Sequence, residues 1–139
     1  MAKKLIEWSQ LYSVGYADID EQHNKLIDLI NVMFFAFSEG NAEEKINDIV
    51  NELINYTQYH FDLEEKYFYK YKYPETEEHI EQHKSFVDAI SKFKASLKEK
   101  KGNTHYEVFE YIKKWLVDHI LVADMKYSKF YKNLKITEL

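Results

Sequence analysis

Six histidines stand in this 139-residue chain, and five of them fall at intervals that suit metal coordination. His60 and Glu64 are four apart, as are His79 and His83, and residues four apart project from one side of a helix. His119 is followed by Asp124, and His23 precedes them all. Neutral imidazoles beside carboxylates make a donor set for iron, zinc or manganese rather than for calcium. Cysteine is absent, so any metal must rest on His, Asp or Glu; thiolate zinc sites and cysteine-ligated iron–sulfur clusters are excluded. Five histidines and two acids are more donors than one ion usually takes, which favours two ions side by side. The interval from His119 to Asp124 points the same way. In a regular α-helix it separates the two side chains by roughly 140°, so either two adjacent ions share them or the helix widens locally.

These residues need long elements to position them, and the composition provides for that. Only three Gly and one Pro interrupt the chain, which favours helices over a many-turned β fold. With 45% apolar residues, the length suits one domain, residues 1–139, with a real core. Residues 1–19 lack helical periodicity and read as an ordered N-terminal arm, with Trp8, Tyr12, Val14, Tyr16 and Ile19 packing along the rest. Asp20 suits the N-cap of a first helix over about 20–38, which carries Leu26, Ile27, Ile30 and Met33 on one face and stops at Gly40. Asn41 with Glu44 resembles a capping box opening a second helix, about 42–71. Pro74 suits the first position of a third, about 75–101, and Thr104 with Glu107 opens a fourth, about 105–131. Short connections make consecutive helices antiparallel neighbours, so the expected fold is an all-α, up-down-up-down four-helix bundle.

Register is then a matter of arithmetic. In an antiparallel pair, residues at one height sum to a constant set by the turn. Turns centred near 40–41, 72–73 and 102–103 give sums of about 81, 145 and 205. His23 then comes within two residues of facing His60, residues 60–64 face 85–81, and residues 79–83 face 126–122. Each helix thus delivers its metal-binding candidates to one height, within about a turn, or roughly 6 Å. His105 belongs at the opposite end of the bundle and is expected to be a surface residue.

Several functions are disfavoured. The net charge is −5 and every basic residue is Lys, which argues against nucleic acid as a partner. No apolar run approaches bilayer length and no signal-like segment opens the chain, so a soluble, cytoplasmic protein without membrane association is expected. No extended apolar patch is evident, so a monomer is expected. There is no nucleophile–base pair and no phosphate-binding Gly loop, so an enzyme is not expected. Ferritin-like diiron proteins use Glu-x-x-His pairs with further glutamates, and no Glu-x-x-His occurs here. Five imidazoles with only two anions stabilise high-valent iron less, which suits holding oxygen better than attacking a substrate.

The motifs also resemble a known family. Ile6-Glu7-Trp8-Ser9, Tyr12-Ser13-Val14-Gly15 and Ile19-Asp20-Glu21-Gln22-His23 come first. His60-Phe61-Asp62-Leu63-Glu64-Glu65, Tyr73-Pro74, His79-Ile80-Glu81-Gln82-His83 and Trp115-Leu116-Val117-Asp118-His119-Ile120 leading to Asp124 follow. In this order, over nearly the whole chain, they resemble the hemerythrins in their single-domain bacterial form. The resemblance implies two iron ions joined by an oxo or hydroxo bridge and by Glu64 and Asp124. It implies that His79, His83 and His119 complete one iron, while His23 and His60 hold the other, whose open position takes dioxygen end-on. Electrons from the irons and a proton from the bridge reach the same oxygen molecule, so no net charge enters the interior and binding can reverse.

Water must be kept out of such a site. Leu26, Phe61, Trp115, Leu116 and Ile120 lie within a turn of the implied ligands and are expected to line a dry oxygen pocket. Tyr73 and Tyr127 are expected to donate hydrogen bonds to the ligands. The function expected is oxygen storage, delivery or buffering. The alternatives are sensing of oxygen or nitric oxide through a partner protein, and iron storage or peroxide handling.

Overall fold

The computed structural model describes residues 5–40, 42–98 and 104–139, without the side chains of 42–44, 97, 98, 104 and 105. The capping boxes expected at Asn41 and Thr104, and the surface position expected of His105, fall outside the described residues. The chain opens with an arm containing a 3₁₀ turn, Gln10–Tyr12. Four helices follow: α1 (Ala17–Ser38), α2 (Ala42–Tyr71), α3 (Thr76–Lys98) and α4 (Thr104–Asp118). The last continues through a π-helical stretch, His119–Asp124, into α5 (Met125–Asn133), forming one rod. Helix α1 packs on α2 and α4, and α3 packs on α2 and α4, so the four rods close a square. The fold is an all-α four-helix bundle.

Two apolar bodies fill it. One gathers Leu26, Ile30, Met33, Leu53, Phe86, Ile90 and Ile112. The other is aromatic and holds Val14, Tyr16, Ile19, Phe68, Tyr73, Tyr127 and Tyr131. Where the two bodies meet, every rod carries buried polar residues: His23 on α1, His60 and Glu64 on α2, His79 and His83 on α3, and His119 and Asp124 on the fourth rod. A polar layer therefore lies between two dry plugs.

The start of α1 differs from expectation. The helix begins at Ala17 with no side-chain cap, and Asp20 lies in its first turn. Its carboxylate reaches back instead: Oδ1 accepts from the Val14 N–H at 2.7 Å and Oδ2 from the Ser13 hydroxyl at 2.5 Å. A residue that resembles an N-cap is thus the clamp that holds the arm. Asn31 is a second clamp, accepting from the Ile6 N–H at 2.9 Å and donating to the Ile6 carbonyl at 2.7 Å. Pro74 also sits outside its expected place. It occupies a turn in which the Thr76 N–H donates to the Tyr73 carbonyl, and α3 starts after it.

Helices α2 and α5 end alike. Tyr73 N–H bonds to the Phe68 carbonyl and Ile136 N–H to the Tyr131 carbonyl, each closing a Schellman motif. The residues forced into the left-handed region are Lys72 (φ +53) and Lys135 (φ +62), where a side chain is strained and glycine is not. Lys72→Gly should therefore raise stability by about 0.5–1 kcal/mol. A denaturant titration with an unchanged slope and a higher midpoint would bear this out.

Candidate metal centre

Four rods each present part of the polar layer. On α2, His60 Nε2 lies 3.4 Å from Glu64 Oε1, as four-residue spacing requires. On α3, the His79 and His83 rings stand 4.7 Å apart. On the fourth rod, the π-helical stretch spans His119 to Asp124, and its i→i+5 pattern brings these two together: Nε2 to Oδ1 is 3.1 Å. The angular conflict seen in the sequence is resolved by local widening.

The donors fall into two overlapping groups. Glu64, His79, His83 and His119 form one; His23, His60, Glu64 and Asp124 form the other, with donor atoms within 4.8 Å of one another in each. Both carboxylates serve both groups. Glu64 Oε1 lies 3.3 Å from His83 Nε2 as well as near His60. Asp124 turns Oδ2 to His23 Nε2 at 3.0 Å and Oδ1 to His79 Nε2 at 3.1 Å. Counting shared groups, five protein donors surround the first centre and four the second.

The ring nitrogens show what the layer is for. His60 Nδ1 donates to Gln22 Oε1 at 2.6 Å, His83 Nδ1 to Glu65 Oε2 at 3.0 Å, and His119 Nδ1 to Gln82 Oε1 at 3.0 Å. A proton held on the outer nitrogen leaves a lone pair on Nε2 of a neutral ring, aimed inward. Yet His83 and His119 Nε2 lie 3.2 Å apart, and His23 and His60 Nε2 3.1 Å apart. Glu64 Oε1 and both Asp124 oxygens face these atoms without a hydrogen-bond donor of their own. Lone pairs and anions crowded together in a buried layer repel unless a cation lies between them. Metal–nitrogen bonds of roughly 2.1 Å at right angles would place donors roughly 3.0 Å apart, the separation observed. The residues fit a pair of metal ions.

Without metal, protons are the substitute cations. Burial opposes charge on His83, but Glu64 and Glu65 outweigh it and hold its pKa up at about 9. Burial opposes charge on His23 too, and Asp124 with Glu64 raises it. Burial pushes Glu64 and Asp124 upward, on Glu64 with repulsion from Asp124, yet the surrounding histidines hold both well below the usual carboxylate range. On His119 burial prevails and lowers the pKa.

Residues 14–131 match the family model of the hemerythrin HHE cation binding domain. The chain belongs to the hemerythrin family. A hemerythrin-like protein of Naegleria gruberi is 32% identical over 121 residues, covering 87% of this chain and 89% of that one. A bacteriohemerythrin of Clostridium acetobutylicum is 28% identical over 126 residues, covering 86% and 96%. The crystal structure of a wild-type hemerythrin superposes with a TM-score of 0.81 over 90% of this chain and 96% of that one, at 23% identity.

In this hemerythrin-family chain the structure brings together all seven side chains singled out from sequence, each at most 6% exposed. Leu26, Phe61, Leu116 and Ile120 are buried around them and Trp115 is half-buried. Phe61 stacks on His83 with centroids 3.8 Å apart and Trp115 on His119 at 4.4 Å, which fixes both rings. The Tyr127 hydroxyl donates to Glu64 Oε2 at 2.6 Å. Tyr73 does otherwise: its hydroxyl points to Glu75 Oε2 at 3.3 Å, because the Pro74 turn aims it toward the rim. Sequence reading missed Gln22, Glu65 and Gln82. A signal existed, since Glu-Gln-His occurs at both 21–23 and 81–83, and each glutamine serves a histidine of another helix.

Two outcomes are expected. Tyr127→Phe removes the hydrogen bond to a buried anion and should cost about 1.5–3 kcal/mol in chemical denaturation, with metal content unchanged. Metal loading requires neutral imidazole, so at pH 7 it should expel the proton that His83 carries in metal-free protein. That proton's release should fade as pH rises through about 9, as read by calorimetry in buffers of different ionisation enthalpy.

Proposed function

We propose that this chain binds dioxygen reversibly at a pair of non-haem iron ions and thereby stores, delivers or buffers oxygen. The observation that carries this reading is the unequal sharing of the donors: five protein groups meet at the His79–His83–His119 centre and four at the His23–His60 centre. In the proposal Glu64 and Asp124 would help to hold both ions, and the centre with fewer protein donors would leave room for a diatomic ligand. Nitric oxide would compete for the same place. When bound, ferrous iron would supply the electrons for reversible oxygen binding.

The chain's own residues hold, orient and dry the site. Gln22, Glu65 and Gln82 lock the tautomers that turn Nε2 inward. Phe61 and Trp115 hold two of the rings by stacking. Leu26, Leu116 and Ile120, each 1% exposed, exclude water, which would otherwise assist irreversible loss of the electrons. Tyr127 keeps Glu64 in place from the opposite side of the layer. This is a binding role and not a catalytic one.

Iron-loaded, reduced protein should give two irons per chain and optical bands that appear with oxygen and vanish under vacuum over repeated cycles. His60→Ala should abolish the bands. Bands that form once and never reverse would refute the carrier reading.

A further inference from the structure

A groove of about 620 Å³ opens between α3 and the fourth rod, over the three-histidine centre. That volume suits a small organic molecule. Tyr111, Trp115 and Val122 give it apolar walls, and Val122 is 59% exposed, an aliphatic side chain held in water at the π-helical stretch. His79, His119 and Gln82 form the side nearest the metal layer. The Trp115 ring lies on His119 with 4.4 Å between centroids and 14° between planes and is packed against Phe86 at 4.4 Å, so a molecule meeting the edge of Trp115 is one stacked ring from a metal ligand. A second, smaller groove of about 450 Å³ at Phe68–Glu78 touches none of the seven donors.

The rim selects by charge. It carries Glu75, Glu78 and Asp118 against Lys114 and Lys126, and Lys126 is partly satisfied by Glu75 at 4.0 Å. With a net charge of −5 on the chain, anions are disfavoured there. The groove also lies away from the His23–His60 centre, so its occupant would not compete with oxygen. An oxygen-binding iron pair that loses its electrons is inert until they are restored, and restoration needs a donor that can reach it.

We propose that this groove binds an uncharged, planar aromatic reductant of the quinol class and passes its electrons through Trp115 and His119 to the oxidised metal pair. The proposal rests on the iron-pair reading above. The quinol loses two electrons and two protons and becomes the quinone. Two ferric ions each gain one electron, and the protons leave to solvent at the groove rim.

Menadiol is the probe. Mixed anaerobically with ferric protein, it should reduce the iron at a rate that saturates with menadiol concentration. Val122→Glu and Val122→Lys should each remove saturation and slow the reaction at least tenfold, while dithionite reduces wild type and variants alike. Leu134→Glu, also exposed but away from the groove, should change nothing. Binding is read separately from turnover. In a Trp8→Phe background Trp115 is the sole tryptophan, and oxidised menadione should quench it saturably in wild type but not in the Val122 variants. A rate linear in menadiol and indifferent to Val122, or the absence of saturable quenching, would overturn the proposal. If the protein carries no iron pair, the oxygen-binding reading fails on metal content, whereas quenching still decides whether the groove takes a quinone.

Discussion

Glu64 and Asp124 lie wholly buried in the middle of an apolar bundle, ringed by histidine nitrogens and both near His23 Nε2. Ionised carboxylates in such a place cost many kcal/mol unless positive charge sits against them. Every rod answers that demand with at least one imidazole, so the charge requirement of two acids ties α1, α2, α3 and the fourth rod to one height. The bundle is therefore not merely a scaffold on which a site was placed. Its middle layer calls for positive charge, from protons or from metal, and only the bundle brings together the groups that could hold it.

The two apolar bodies have different duties in this arrangement. The mainly aliphatic one below the layer joins α1, α2, α3 and α4. The aromatic one above it joins the arm, the end of α2 and α5, and sends one hydroxyl, that of Tyr127, down to Glu64. Aromatic rings also reach into the layer from the side: Phe61 on His83, Phe68 against His79 at 4.6 Å, Trp115 on His119. Imidazoles constrained by a stacked ring on one face and a hydrogen bond at Nδ1 have little freedom left, which is what a preorganised donor set requires.

Much of this was legible in the sequence, for physical reasons. His60 with Glu64 and His79 with His83 are visible because four residues are close to one turn. Their common height is visible because the connections are short, so the turns fix the register. The boundary of α1 was misplaced because Asp20 has the chemistry of an N-cap while its actual partners, Ser13 and Val14, lie on the arm. Gln22, Glu65 and Gln82 serve histidines of other helices, which spacing along one helix does not report; only the repeated Glu-Gln-His hints at the two glutamines. Tyr73 and Tyr127 looked equivalent, since nothing in one dimension says where a hydroxyl points. The groove beside α3 depends on side chains spread from 73 to 126 and has no linear signature.

The widened stretch at His119–Asp124 does more than bring a histidine over an aspartate. Each residue of an α-helix advances the chain by roughly 100° of rotation, and a π-type stretch absorbs one residue without that advance. Everything after Asp124 is therefore retarded in phase. Tyr127 and Tyr131 consequently face the aromatic body, and the Ser128 hydroxyl reaches the Val14 carbonyl on the arm. On an unwidened rod Tyr131 would swing out by roughly a quarter turn. One angular offset thus sets both the donor geometry and the closure of the chain's two ends upon each other, like a single cam timing two valves.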